Sequence, residues 1–225
     1  MQSNHIKGLE RTTLRERALD ALRSSVISGE LKPDQHLNEV DLAEGFGISR
    51  GTVREALRHM QQERLVVADE RGRLRVRRVT GQEIREVFAV RAALESLAVR
   101  TIVELPERQR KEAVTALEGA LEQLRASQDD LDAQLEADLG FHRVLCEMSG
   151  NHTLVWNWSN LEGLIKATIY GVGPAQAQPN MDPERHALIV EAIRNLGASE
   201  ASKLVTDHMH SAADSLVDAL SAAGA

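Results

Sequence analysis

A single cysteine, Cys146, occurs in 225 residues. That excludes an internal disulfide framework and fits a reducing compartment, so the cytoplasm is the expected location. Taken alone, Cys146 reads as a small core residue. Aromatic residues are scarce at 3%, fewer than long β-rich folds usually carry. No apolar run approaches membrane-spanning length, and the N-terminus lacks the apolar core of a signal peptide, so no membrane partner is expected. What is abundant is Ala, Leu, Glu, Arg and Val, the composition of a mostly α protein. With 42% apolar residues, the chain can build a packed core, as one large domain or as a small plus a medium one.

The formal charge of −7 looks wrong for a nucleic-acid binder until it is split. Residues 1–80 carry 15 Lys and Arg against 12 Asp and Glu, a net of +3. Residues 81–225 carry 12 against 22, a net of −10. A basic N-terminal part joined to an acidic C-terminal part points to nucleic acid at one end only.

The organising stretch is Asp41–Leu57, DLAEGFGISRGTVREAL. A first short helix over roughly 40–46 places Leu42 and Phe46 four apart, with Ala43 beside them. Gly47 can take the left-handed backbone that stops it, and Ile48 plugs the corner. Ser49 is a good N-cap for a second helix. In that helix Val53, Ala56, Leu57 and Met60 face inward, while Arg50, Thr52, Arg54, Arg58 and His59 lie on the other faces. An apolar stripe under a basic face suits a recognition helix in a major groove. An ordinary surface helical hairpin with exposed arginines has the same pattern.

The flanks extend the pattern. Residues 1–10 are polar and expected to be mobile. Thr13–Ser28 reads as a helix ended by Gly29, and Leu31-Lys32-Pro33-Asp34 as a turn. Leu65–Ala68 is β-prone, Asp69–Gly72 is a turn, and Leu74–Val79 alternates apolar and basic, giving a hairpin with Leu74, Val76 and Val79 inward. Helix, helix, turn, helix, hairpin is a winged helix-turn-helix, expected over residues 1–79. Its tip, around Arg71 and Gly72, is basic and can reach a minor groove or phosphates; for Arg75 and Arg77 a solvated hairpin face reads equally well.

These residues carry a resemblance. Leu14, then Ile27–Pro33, Leu37–Ala43 and Ile48–Leu57 resemble the N-terminal domain of the GntR family of bacterial transcription regulators. The likeness runs over some 65 residues with the turns in place. It departs at three spots: Asp34 and Arg64 stand where the family usually has glycine, and Gly51-Thr52 replaces a residue–proline pair. An arginine that contacts DNA in some relatives aligns with Val40.

From Thr80–Gly81, read as a linker, the pattern is helical throughout. The expected helices run from Ile84 to Val103, over 107–126, Leu131–Met148, Thr153–Tyr170, His186–Asn195 and Ser199–Leu220, with a loop from Gly171 to Pro179. Six helices in this span imply an antiparallel all-helical bundle over residues 80–225.

Asp138 and His142 are four apart on one helix face. His186 and His208 lie on two further helices. Three neutral imidazoles and a carboxylate on one bundle can converge on a divalent cation; they suit Zn, Ni, Co or Mn without choosing among them. Each residue also has a plain reading, as a surface or hydrogen-bonded core histidine or a solvated helix charge. The run Asp138–His142, Ser149-Gly150-Asn151, His186–Ile193 and His208, with Arg91–Glu95, is similar to the C-terminal effector domain of the FadR subfamily of GntR regulators. The resemblance implies a metal held by Asp138, His142, His186 and His208, completed by a small carboxylate. His210 is a rival to His208 but points to another face. Arg91 is a candidate for gripping the carboxylate, or an i,i+4 ion pair with Glu95.

The resulting expectation is a homodimeric transcription regulator and not an enzyme. The resemblance implies a repressor. Ser49, Arg50, Thr52, Arg54, Arg71 and Gly72 would bind a pseudo-palindromic DNA operator, and a small organic acid at the metal would modulate that binding. Two alternatives share the same residues: a regulator for which the ion itself is the signal, and a metal-dependent hydrolase or lyase, against which no separate general base is evident.

Overall fold

The structure, a computed structural model, describes residues 14–27 and 30–223. The expected polar start and the Gly29 helix stop lie outside the described residues. The chain divides between Arg77 and Arg78 into two compact units.

In the first unit α1 (Leu14–Ile27), α2 (Glu39–Phe46) and α3 (Arg50–Gln62) precede a hairpin of β1 (Val66–Ala68) and β2 (Leu74–Val76). Local chemistry sets the bounds. Asn38 caps α2, its side-chain oxygen accepting from Val40 N at 2.9 Å. Gly47, at φ 64°, ends α2: its N–H donates to the Glu44 carbonyl and the Ile48 N–H to that of Ala43. The Ser49 hydroxyl then opens α3 by accepting from Thr52 N at 3.1 Å. Val53, Ala56, Leu57 and Met60 are fully buried, and α1 packs on α3. Phe46 departs from expectation: it is 37% exposed, because the helix ends at Gly47 and leaves its last side chain at the rim.

The hairpin is antiparallel, with Val66 opposite Val76 and Ala68 opposite Leu74. Gly72 takes φ 76° at its tip, and Asp69 Oδ1 accepts from the Arg71 and Arg73 amides, each at 2.9 Å. Residues 34–37 add hydrogen bonds to β2, from Asp34 N to Val76 O and from Leu37 N to Leu74 O. That third pairing has no alternating pattern to announce it.

The second unit comprises α4 (Gly81–Glu104), α5 (Glu107–Ala126), α6 (Leu131–Met148), α7 (His152–Val172), the short α8 (Pro174–Ala177), a 3-10 turn (Gln178–Met181), α9 (Pro183–Asn195) and α10 (Ala198–Ala223). Thr80 is no linker; its hydroxyl caps α4 by accepting from Glu83 N at 3.2 Å. The stretch after α7 is helical where a loop was expected, because Ala177 and Met181 are buried. Helix α4 packs along α10 and also meets α6 and α7, while α5 lies on α6 and α9. Ile102, Leu117, Phe141, Leu145, Ile193 and Val205 are fully buried in one cluster. Each such side chain contributes about 1.5–3 kcal/mol by leaving water. The bundle therefore holds α4, α6, α9 and α10 rigidly enough to aim polar side chains inward.

Candidate functional site

In the first unit Ser49 is exposed and bonded to Thr52, their hydroxyls 2.9 Å apart. Arg50 and Arg71 are exposed, and Gly72 sits at the hairpin tip. Arg54 is engaged: its guanidinium makes hydrogen bonds to both carboxylate oxygens of Glu39, at 3.0 Å through Nε and 2.7 Å through Nη2. That hydrogen bond pulls the Glu39 carboxyl below its ordinary value and raises Arg54. Glu39 opens α2, so the two helices of the motif are tied together across their outer faces. The tie fixes the direction in which Arg54 leaves α3.

The second unit brings Asp138, His142, His186 and His208 to one place. Asp138 and His142 lie one turn apart on α6, His186 near the start of α9, and His208 within α10. Ligand atoms of the three histidines lie within 4.8 Å of one another. His142 Nε2 is 3.1 Å from His186 Nε2, and His186 Nε2 is 3.0 Å from Asp138 Oδ1. Asp138, His142 and His186 are buried and His208 is half-buried.

The outer ring nitrogens explain how the inner ones are aimed. His186 Nδ1 donates to the Asp182 carbonyl at 2.9 Å. His142 Nδ1 is 2.6 Å from Glu95 Oε2. A carbonyl can only accept, so His186 carries its proton on Nδ1 and, when neutral, turns a lone pair inward. Burial lowers His142 well below the ordinary imidazole value, with Arg91 adding to the effect. Burial also lowers His208, helped by its imidazole neighbours. Burial alone would raise Asp138, but the His186 hydrogen bond and the nearby positive groups outweigh it and hold the carboxyl ionised.

The ionised Asp138 and the inward nitrogens of His142 and His186 therefore face one another at hydrogen-bond distance. A proton or a cation shared among them would satisfy these atoms. A proton on His186 serves at most two of them, whereas the three histidines have the spacing and the chemistry to hold a divalent cation, with Asp138 beside His186. His210, the sequence rival of His208, is exposed.

Three groups around the site were not among the candidates. Glu95 accepts from Arg91 Nε at 2.8 Å and from Trp158 Nε1 at 3.0 Å, besides holding His142. The Asp182 carbonyl and Trp158 complete that frame. Their signal in the sequence was faint: Glu95 is a carboxylate set in the apolar stripe of Phe88, Ala92, Val99 and Ile102. Arg91 is 3% exposed. It is the ion-pair partner of Glu95, yet its Nη2 has no hydrogen-bond partner and lies 3.9 Å from Asp138 Oδ2. Beside these residues is a cavity of about 20 Å³, about the room one water needs. No helix among the described residues is long and apolar enough to cross a membrane.

Comparison with known proteins agrees with both units. The model of the bacterial regulatory proteins of the gntR family matches residues 11–76, and that of the FCD domain matches residues 86–211. The chain is 30% identical over 137 residues to the uncharacterized HTH-type transcriptional regulator YdhC of Bacillus subtilis (strain 168), a match spanning 59% of each chain. It is 27% identical to the gluconate operon transcriptional repressor of Bacillus licheniformis, over 84% of this chain and 79% of that one. Among solved structures, Lar of Listeria monocytogenes superposes with a TM-score of 0.65 at 16% identity, covering 92% of this chain and 98% of that one; a likeness at that identity shows the fold. The two curated relatives are named as transcriptional regulators. The chain belongs to the GntR family of bacterial regulatory proteins, with an FCD domain as its second unit.

Proposed function

We propose that this protein is a cytoplasmic, homodimeric repressor of transcription whose hold on its operator is set by a small carboxylate bound at a divalent cation. The observation that carries the reading is the meeting of His142, His186 and His208, their ligand atoms within 4.8 Å of one another, with Asp138 3.0 Å from His186. These four would hold Zn, Ni, Co or Mn. The ion would supply a point of attachment for a carboxylate oxygen. Arg91, whose Nη2 has no hydrogen bond, would receive the other part of that head group. The relative named for a gluconate operon makes a carboxylate a reasonable signal.

On the other unit, Ser49, Arg50, Thr52 and Arg54 would enter the major groove, with arginine suited to bidentate contact with guanine. Arg71 and Gly72 would add backbone contacts at the wing. Two copies would present two recognition helices to a pseudo-palindromic site. The acid regulates only if it binds the DNA-competent and DNA-incompetent states with different affinity.

His142→Ala tests the reading. Metal content by plasma mass spectrometry should fall and the response to carboxylates should vanish, while operator binding in their absence is largely retained. Loss of DNA binding with metal retained would overturn it. The small cavity also suits the ion alone as the signal. Operator affinity that changes on adding metal, with no organic acid present, would select that second reading.

A further inference from the structure

The walls of the cavity beside the cluster say which acids it can take, given the carboxylate-effector reading above on which this inference rests. Apart from Asp138, His142 and His208 of the cluster, two lining residues are polar, Arg91 and Asn180. Asn180 is spoken for at both ends: Nδ2 donates to the Ala212 carbonyl at 3.3 Å, and Oδ1 accepts from Arg185 Nη1 at 3.2 Å. Arg91 is fixed by Glu95 and by the Phe88 ring beneath its guanidinium, 5.5 Å away. That leaves the second N–H of Asn180 Nδ2 and one cationic donor, Arg91 Nη2, which is buried and without a hydrogen bond. The remaining wall is hydrocarbon and thioether, Ile169, Met209 and Leu216 among it.

We infer that the effector is a short aliphatic monocarboxylate, and neither a polyhydroxylated sugar acid nor a dicarboxylate. One anionic head group finds one cationic donor without a hydrogen bond, Arg91 Nη2, next to the cluster. Hydroxyls further along a sugar acid would be buried against Ile169, Met209 and Leu216 with nothing to bond. Each unpaired buried hydroxyl weakens binding by about tenfold or more. A second carboxylate would be buried without a counter-charge, which is worse. Because the cavity is only about 20 Å³, the ligand must displace side chains to enter. Met209 and Met181 are unbranched and can rearrange at little strain, so the tail must be short.

Calorimetric titration of the zinc-loaded full chain with butyrate, gluconate and succinate tests this. Butyrate should bind, lose its binding on chelation, and exceed gluconate by at least about a hundredfold, the penalty of two or more unpaired hydroxyls. Met209→Gln, which keeps the volume and adds a carboxamide to the wall, should narrow that ratio. Chelation-sensitive binding of gluconate or succinate as tight as that of butyrate would overturn the inference and leave the carboxylate reading standing. Binding of none of the three would bring down the reading and the inference together. An unchanged ratio in Met209→Gln would show that this wall does not select the ligand, and would also count against it.

Discussion

His142 Nε2 and His186 Nε2 lie 3.1 Å apart inside the bundle, and the other nitrogen of each ring is already committed, to Glu95 and to the Asp182 carbonyl. Two imidazoles so oriented need a proton or a cation between their inward nitrogens. The protein spends packing energy from α4, α6, α9 and α10 to hold them there. A divalent cation held as proposed above would make that arrangement favourable.

Removal of the ion should therefore destabilise the second unit. A ligand of the native state at a hundred times its Kd adds about 2.7 kcal/mol. At roughly 2–4 °C per kcal/mol for a chain of this size, chelation should lower the melting temperature by roughly 5–11 °C in differential scanning calorimetry. An unchanged melting temperature, with metal shown to be gone, would mean that a proton on His186 does the same work.

Glu95 is the hub behind the ligands. Glu95→Gln keeps its size but swaps an oxygen for an amide group, which cannot accept from Arg91, Trp158 and His142 alike. Partners of metal-bound histidines typically matter by 10–100-fold in metal affinity, so a competitive metal titration should show a loss of about that size. Full affinity in Glu95→Gln would mean that His142 is aimed by packing alone, through Phe141, whose ring stands edge-on to it at 5.4 Å.

The clustered side chains were easier to read in the sequence than their supports. Asp138 and His142 announce themselves by helical spacing, and His186 and His208 by their family pattern. The contact from Glu95 to His142 spans 47 residues, and no spacing rule links them. Helices α5 and α6 were legible to the residue because Pro106 and the Asp130 cap mark their starts. The segment from 174 to 181 was not, because Gly171, Gly173, Pro174 and Pro179 resemble loop residues. What folds it is burial of Ala177 and Met181 over the cavity, a tertiary effect. Gly171 has its own reason: a Cβ there would collide with the Val79 side chain.

Arg54 should prove the most sensitive of the DNA-facing candidates. Arg54→Ala is expected to weaken binding to a selected operator by roughly ten- to a hundredfold, the value of a bidentate base contact. Glu39→Gln should weaken it less but reduce discrimination against a scrambled site, since Glu39 aims the guanidinium. Anisotropy titrations at matched salt separate the two effects. Equal affinity of Arg54→Ala for the operator would remove this residue from the interface.

Two of the departures from the family pattern fall on left-handed backbone: Asp34 at φ 66° and Arg64 at φ 58°. Non-glycine residues therefore hold a positive φ at both turns and bear its strain. Arg64 is the cleaner case. It follows α3 in a Schellman arrangement, its N–H donating to the Gln61 carbonyl and that of Leu65 to Met60. Met60 and Leu65 are both buried, so the chain cannot relax the angle without opening that contact. A side chain in this conformation costs about 1–2 kcal/mol, and glycine returns about 0.5–1 of it through the freedom of the unfolded chain. Arg64→Gly should then stabilise the first unit by roughly 0.5–1 kcal/mol, read as slower hydrogen exchange of the α3 amides. Arg64→Ala keeps a Cβ at the same angle and should give no such gain. If alanine stabilises as much as glycine, loss of the arginine side chain, and not release of backbone strain, is the cause.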